Sequence, residues 1–331
     1  MPIPAHVPLV VTTRGGLVEC VHHGSIAVVD TKGTVIAGVG DPTALNFTRS
    51  ALKPLQALPF VEAGGMSRFN FSSQELALMC ASHGGESMHV HIATRMLARI
   101  GARESDLQCG CHVPSYFAAT ESAPPPGARW SQLHHNCSGK HSGFLAYCTM
   151  FGHPLKSYLD LDSPLQTRIR NVVQGFAGSE PIGSGIDGCS APNFAMPLSR
   201  LAQAFGLMAV GATPELAALA FAMTRHPDLV SGTRRSDLAL MQTGKGDWVS
   251  KIGAEGVQAL GVKSKGIGIA IRIADGNKRA LQVATVNVLQ QLGLLRDDKS
   301  PLAANLRPKT RNYRGTAVGT IEARFKLPKL H

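Results

Sequence analysis

Residues 47–56 read FTRSALKPLQ, and the reading of this stretch decides the fold. Ser50 stands three positions before Lys53. From Ser50 to about Glu62 the apolar residues Leu52, Leu55, Leu58 and Val61 recur at every third position, which predicts a helix. Pro54 falls in its first turns, where a proline is tolerated. Positions i and i+3 share one helix face, so the Lys53 amine comes within reach of the Ser50 hydroxyl. A neutral lysine takes a serine proton, but its reference pKa is about 10.4. Burial or a nearby cation must depress it. The bland alternative is a serine near a helix start and a lysine pointing to water. Ser-x-x-Lys is common by chance, and taken alone it favours that alternative.

Two more segments change the weighting. Serine acyl-enzymes of the β-lactamase and penicillin-binding type combine Ser-x-x-Lys, a second polar serine and Lys-Thr-Gly on a strand. Here CASHGGE (80–86) supplies Ser82 in a Gly-rich turn just past a helix. SKIGAEG (250–256) supplies Lys251-Ile252-Gly253, close before an Ile-rich strand. The chain order is the expected one. Lys251 near Lys53 would depress the Lys53 pKa and help bind a carboxylate. The bland readings are a capping or turn serine and an exposed lysine at a strand end.

A second constellation lies in HHNCSGKHSGF (134–144), with Cys137, Lys140 and His141, and in GIDGCS (185–190), with Asp187 and Cys189. Two thiolates and a nitrogen donor suit Zn²⁺. Asn136, Ser138 and Gly139 suit a helix start, which would turn Cys137 and Lys140 the same way. The cysteines do not form a Cys-x-x-Cys knuckle, and two lone cysteines are more often buried thiols than ligands. CGCHVP (109–114) offers Cys109, Cys111 and His112 as a rival site, for which structural roles are the better reading.

Outward from these motifs, the first 45 residues read as β structure. Turns at Thr31-Lys32-Gly33 and Gly40-Asp41-Pro42 suggest a hairpin. SSQELALMC carries Ser72 or Ser73 as a helix cap with Glu75 just inside. Further helices are expected at 88–101, 140–151, 163–176, 195–207, 214–225 and 278–294. Residues 112–130 and GSGIDGCSAPNF (183–194) read as loops. Ile267, Ile269, Ile271 and Ile273 alternate along a half-buried strand, and TAVGTIEARF (316–325) is a last strand. Strands at both ends with helices between predict one α+β domain over 1–331. In it, β-rich 1–48 and 250–331 share an antiparallel sheet, and 50–245 is mainly helical.

The chain of 331 residues, 44% of them hydrophobic, is long enough for a sizeable core. Its net charge of +11 invites a nucleic-acid reading. The basic residues are scattered, though, and the densest run, LRPKTRNYRG (306–315), has one Tyr and no aromatic ladder. No nucleic acid is expected as a partner; a basic surface or a small anionic substrate fits. Seven cysteines, an odd number in a long chain, predict reduced thiols and a cytoplasmic setting. No signal peptide and no membrane-spanning run is visible.

TRGGLVE, GDP, RSALKPLQALP, ELALMCASHGGE, HNCSGKHSGF, GIDGCSAPNFAMPL, KIGAEG and IADGNKRA together resemble the class 3 (rhizobial-type) L-asparaginase family. The resemblance runs from about Val11 through most of the chain. It implies a fold like those of serine β-lactamases and glutaminases, and hydrolysis of L-asparagine to L-aspartate and ammonia. It places the nucleophile on Ser50, preceded by Arg49, the first lysine on Lys53, the second catalytic serine on Ser82 and the remote lysine on Lys251. Ile252 stands where the family more often has Thr. It also implies a zinc site at Cys137, Lys140 and Cys189, with Asp187 and His141 beside it to help hold substrate, and a homodimer. A lysine on zinc must be deprotonated, so zinc affinity should fall as pH drops. Competing expectations are an L-glutaminase with the same machinery, a β-lactam- or peptide-directed acylase, and a non-catalytic zinc or amino-acid binding protein.

Overall fold

The computed structural model describes residues 3–180, 182–295, 300 and 302–328. Of the segments expected to share the sheet, residues 1, 2, 296–299, 301 and 329–331 lie outside the described residues. The N-terminal strands are β1 (Val7–Arg14), β2 (Leu17–Asp30) and β3 (Val35–Val39), followed by the short β4 (Leu45–Phe47). Two strands, β5 (Gly183–Ile186) and β6 (Pro192–Pro197), interrupt the helical region. Then come β7 (Trp248–Gly253), β8 (Val257–Val262), β9 (Ile267–Ile273), β10 (Lys309–Arg311) and β11 (Ala317–Ala323). Eight of these form one antiparallel sheet in the order β10-β11-β1-β2-β9-β8-β7, with β3 also on β2. N- and C-terminal strands therefore share one sheet, as expected for the α+β class.

Strand β2 is long enough to serve two neighbours on one edge. Residues 17–24 pair with β1 and residues 26–29 with β3, while β9 takes the other edge. The β2–β3 connection is the expected turn at Thr31–Gly33, where the Gly33 N–H and the Thr34 N–H both find Asp30 oxygens. Pro8 is admitted to β1 beside a bulge, where a lost ladder donor is tolerated.

Strand β9 is buried on both faces, not one. Ile267, Ile269, Ile271 and Ile273 pack with Ala280–Leu289 of the helix Lys278–Gln291. The residues between them are Gly268, Ala270 and the half-buried Arg272. Alternation of large with small, instead of large with polar, lets a second helix, Leu198–Val210, lie against the other face. A Cβ on Gly268 would sit 1.7 Å from the Ala202 carbonyl oxygen, and one on Gly261 2.0 Å from that of Phe205. Those glycines set the separation of helix and sheet.

Most of the remaining helices form a layer beyond Leu198–Val210, whereas Ser236–Gly244 packs on β7. Ser138–Phe151 runs through it, and its first eleven residues are all buried. A helix apolar or small all round belongs inside. Ser72 caps the helix Ser73–Met79, and Glu75 completes a capping box. The expected loop at 183–194 is instead the β5–β6 hairpin, which pairs with β4 in a three-stranded sheet. Its glycines hid the strands, because their pairing comes from β4, over 130 residues away. The helix expected from 195 starts at Leu198, since β6 runs to Pro197. Within 112–130 a short helix, Ser115–Thr120, forms. The region 50–245 is thus mainly but not wholly helical, and β4, within residues 1–48, belongs to the small sheet and not to the shared one.

Replacing Gly268 with Val should cost about 1–3 kcal/mol or more, the range for overpacking a tight site. Urea unfolding would show it; a Gly268→Val protein of unchanged midpoint would contradict the close helix–sheet contact.

Candidate active site

The small sheet delivers the serine. β4 runs into a 3-10 turn, Arg49–Leu52, and then into the helix Lys53–Glu62, so the helix read from Ser50 begins as a tighter turn. Arg49 has φ of +49°, a left-handed conformation that costs a non-glycine residue about 1–3 kcal/mol. Asn193 of β6 holds it there. Its Oδ1 accepts from the Arg49 N–H at 3.0 Å and its Nδ2 donates to the Arg49 carbonyl at 3.0 Å. Thr48 Oγ1 donates to the Phe194 carbonyl at 2.7 Å. Ser50 follows this clamp and is half-buried.

Lys53 is 1% exposed. Its Nζ donates to the Ala81 carbonyl at 2.5 Å, to Ser82 Oγ at 2.9 Å and to the Asn136 carbonyl at 3.5 Å. Among the described residues no hydrogen bond joins it to Ser50 Oγ; the direct contact is with Ser82. The segment after Ser73–Met79 is itself pinned, with the Ser82 N–H donating to the Val230 carbonyl and the His83 N–H to that of Asn136.

Lys251 does not sit exposed at a strand end. It lies in β7 at 0% exposure. Its Nζ donates to the Ile252 carbonyl at 2.8 Å and lies 3.5 Å from Asp237 Oδ2. Burial pushes its pKa down to about 8; Asp237 opposes that shift, and Lys53 and Arg235 reinforce it. Two residues on, a Cβ at Gly253 would fall 2.7 Å from the Thr48 carbonyl oxygen. The glycine lets β7 abut the turn that presents Ser50, so Lys251 and Ser50 belong to one site. Ile252 is half-buried and uses its N–H on Asp237 at 2.8 Å.

The thiol cluster borders the same site. Cys137 and Cys189 are buried, and Lys140, 2% exposed, donates to Cys189 Sγ at 3.0 Å. A hydrogen bond with Cys189 holds the Cys137 pKa well below the usual thiol value, with Lys53 and Lys140 adding to it. Burial would lower the Lys140 pKa, but the Cys189 and Cys137 sulfurs outweigh it and raise it. His141 is fully buried; burial lowers its pKa to about 4, and Nδ1 shares a 2.7 Å hydrogen bond with Tyr158 OH. Its Nε2 is buried without a hydrogen-bond partner. Asp187 pairs with Arg49 at 2.8 Å. Burial works against its charge, yet Lys140, the Gly188 N–H and Arg49 bring its pKa below the usual carboxylate value.

No group of three or more His, Cys, Asp or Glu side chains poised for a metal occurs among the described residues. Lysine is the third nitrogen or sulfur donor in the expected set. Two adjoining thiols, an amine in contact with one of them and an unpartnered imidazole nitrogen nearby make a donor set that suits Zn²⁺. The rival set separates, since Cys109 is buried and Cys111 exposed.

The sequence profile of the L-asparaginase II family matches residues 10–323. The chain belongs to the L-asparaginase II family. It is thus an amidohydrolase with an amino-acid substrate, and membership supports asparagine hydrolysis. No curated protein matches the chain significantly. Two solved structures are similar at 13% identity: a β-lactamase-class protein from Bacteroides dorei and a β-lactamase from Mycobacterium bovis. The first has a TM-score of 0.43, covering 81% of this chain and 93% of the other; the second has 0.35, covering 81% and 94%. Neither bears on the chemistry of this asparaginase-family chain. No single helix among its described residues is long and apolar enough to cross a membrane.

Asn193 and Asp237 were missed in the sequence reading. Asn193 lies inside the quoted GIDGCSAPNF stretch but far from FTRS in the chain, and Asp237 has no motif around it. Asn193→Ala should lower kcat about 10- to 100-fold, the scale for misplacing a reacting group by an ångström, with a smaller change in KM. Steady-state kinetics with a matched stability scan would check it; wild-type kcat would show that the clamp does not hold Ser50.

Proposed function

We propose that this member of the family hydrolyses L-asparagine to L-aspartate and ammonia through an acyl-enzyme on Ser50. The observation that carries the reading is the Lys53–Ser82 hydrogen bond at 2.9 Å, made by the same helix that Ser50 leads into. Ser50 Oγ attacks the side-chain amide carbon. In its neutral form Lys53, with Ser82 as relay, takes the Ser50 proton and passes it to the departing ammonia. Water then cleaves the aspartyl ester by the same route in reverse. Lys251 supplies a buried positive charge beside the reacting groups, which favours the anionic transition state. Arg49, Asp187 and His141 line the side of the site where the substrate amino and carboxylate groups would be held.

We also propose Zn²⁺ at Cys137, Lys140 and Cys189. When bound, the metal would neutralise both thiolates and fix the wall that carries Asp187 and His141. No step of the hydrolysis is routed through it. Assembly as a homodimer is proposed from the family resemblance.

Ammonia release from L-asparagine and L-glutamine tests the reading. Ser50→Ala should abolish turnover in a folded protein; near-wild-type activity would remove Ser50 from its role. A single methylene separates the substrates by about 1–3 kcal/mol, and a preference for glutamine would reassign the substrate. Because Lys251 gives up its proton near pH 8, kcat should fall as pH rises through that value. Metal analysis of the purified protein should find zinc, and far less of it in Cys189→Ala; equal contents would reject the site.

A further inference from the structure

Asp237 lies at the start of the helix Ser236–Gly244, outside every motif of the reaction, and is 1% exposed. Its two oxygens take four donors. Oδ1 accepts from Ser250 Oγ at 2.7 Å and Gln258 Nε2 at 3.2 Å. Oδ2 accepts from the Ile252 N–H at 2.8 Å and lies 3.5 Å from Lys251 Nζ. Gln258 also donates to Ser250 Oγ at 2.9 Å. β7 and β8 thus grip the carboxylate from both sides of Lys251, since Ile252 pairs with Gln258 in the ladder.

A buried carboxylate with every lone pair engaged is costly to build unless it has a charge to serve. Three of its four contacts lie at positions 250–252, the lysine and its two neighbours. The helix Ser236–Gly244 packs on β7, so the contact joins two elements through the carboxylate. We infer that Asp237 is the positioning residue of Lys251, a fixed counter-charge that aims its ammonium and keeps its proton on.

The inference rests on the functional reading above, in which Lys251 acts as a cation. The groups facing Lys251 are Asp237, which favours its proton, and Lys53 and Arg235, which oppose it. Cys80, whose thiol burial raises to about 12, faces both lysines as a neutral group. Arg235 is tied to Ser115 Oγ at 2.9 Å, and its Nε is buried without a hydrogen-bond partner. Among the groups facing Lys251, Asp237 is therefore the carboxylate that favours its proton; Glu86 acts on Arg235.

The test is the pH dependence of kcat. In Asp237→Asn the alkaline limb should move down by roughly 1 pH unit, the scale for removing an opposite charge at this range. Asp237→Glu, which keeps the charge, should return it most of the way. A limb that stays in place in folded Asp237→Asn overturns the inference, because loss of a merely structural residue would lower kcat without moving it. If Asp237→Asn does not fold, Ser250→Ala and Gln258→Leu each strip a donor from the same carboxylate and should move the limb up. No movement in either would equally overturn it. Lys251→Met separates this from failure of the functional reading. Wild-type turnover with an unchanged limb in that variant would sink the role of Lys251 itself, and the inference with it.

Discussion

The buried Lys53 amine is the joint of the site. An ammonium taken out of water costs several kcal/mol unless it finds acceptors, and Lys53 finds three, at Ala81, Ser82 and Asn136. They come from two segments far from it in the chain. Burying that one amine therefore demands that the helix after Ser50, the CASHGG turn and the NCSGK helix start meet at a point. Ser82 arrives beside the helix Lys53–Glu62 because Lys53 needs an acceptor there, and Cys137 arrives because it follows Asn136.

The second constraint is backbone strain before Ser50. Arg49 holds a conformation that its side chain disfavours, and only a surrounding that over-determines it can keep it so. The small sheet β4-β6-β5 supplies that surrounding. β4 leads into the turn, Asn193 on β6 clamps both polar groups of the Arg49 peptide units, and the β5–β6 loop returns Asp187 to the Arg49 guanidinium. One device thus orients the serine and carries Asp187 and Cys189 to it. The main sheet contributes through its edge strand β7, whose Gly253 permits the close approach and whose Lys251 adds charge.

The interior is crowded with lysine amines: Lys53, Lys140 and Lys251 are all buried. Each is matched locally, by carbonyl and hydroxyl oxygens, by thiols and by a carboxylate respectively. That matching explains how the chain keeps lysines in its core.

Much of this was legible without coordinates. The 3.6-residue pattern after Ser50, the alternating Ile267–Ile273 run and the strands at both ends determine an α+β chain with a shared sheet, because local periodicity reports which side of an element is buried. The pieces FTRSALKPLQ, CASHGGE and SKIGAEG mark Ser50, Lys53, Ser82 and Lys251, and eight segments together resemble the class 3 asparaginase family. Tertiary structure alone decided the rest. β5 and β6 read as a Gly-rich loop, since a strand of small residues has no pattern until its partner is known. Asn193 and Asp237 read as ordinary polar residues, since their meaning is a hydrogen bond across 144 and 14 positions. Whether Lys53 faces Ser50 or Ser82 is likewise set by which acceptors the folded chain brings to its amine. Sequence spacing fixes distances along one helix; only the packing of separate elements fixes which groups share a proton.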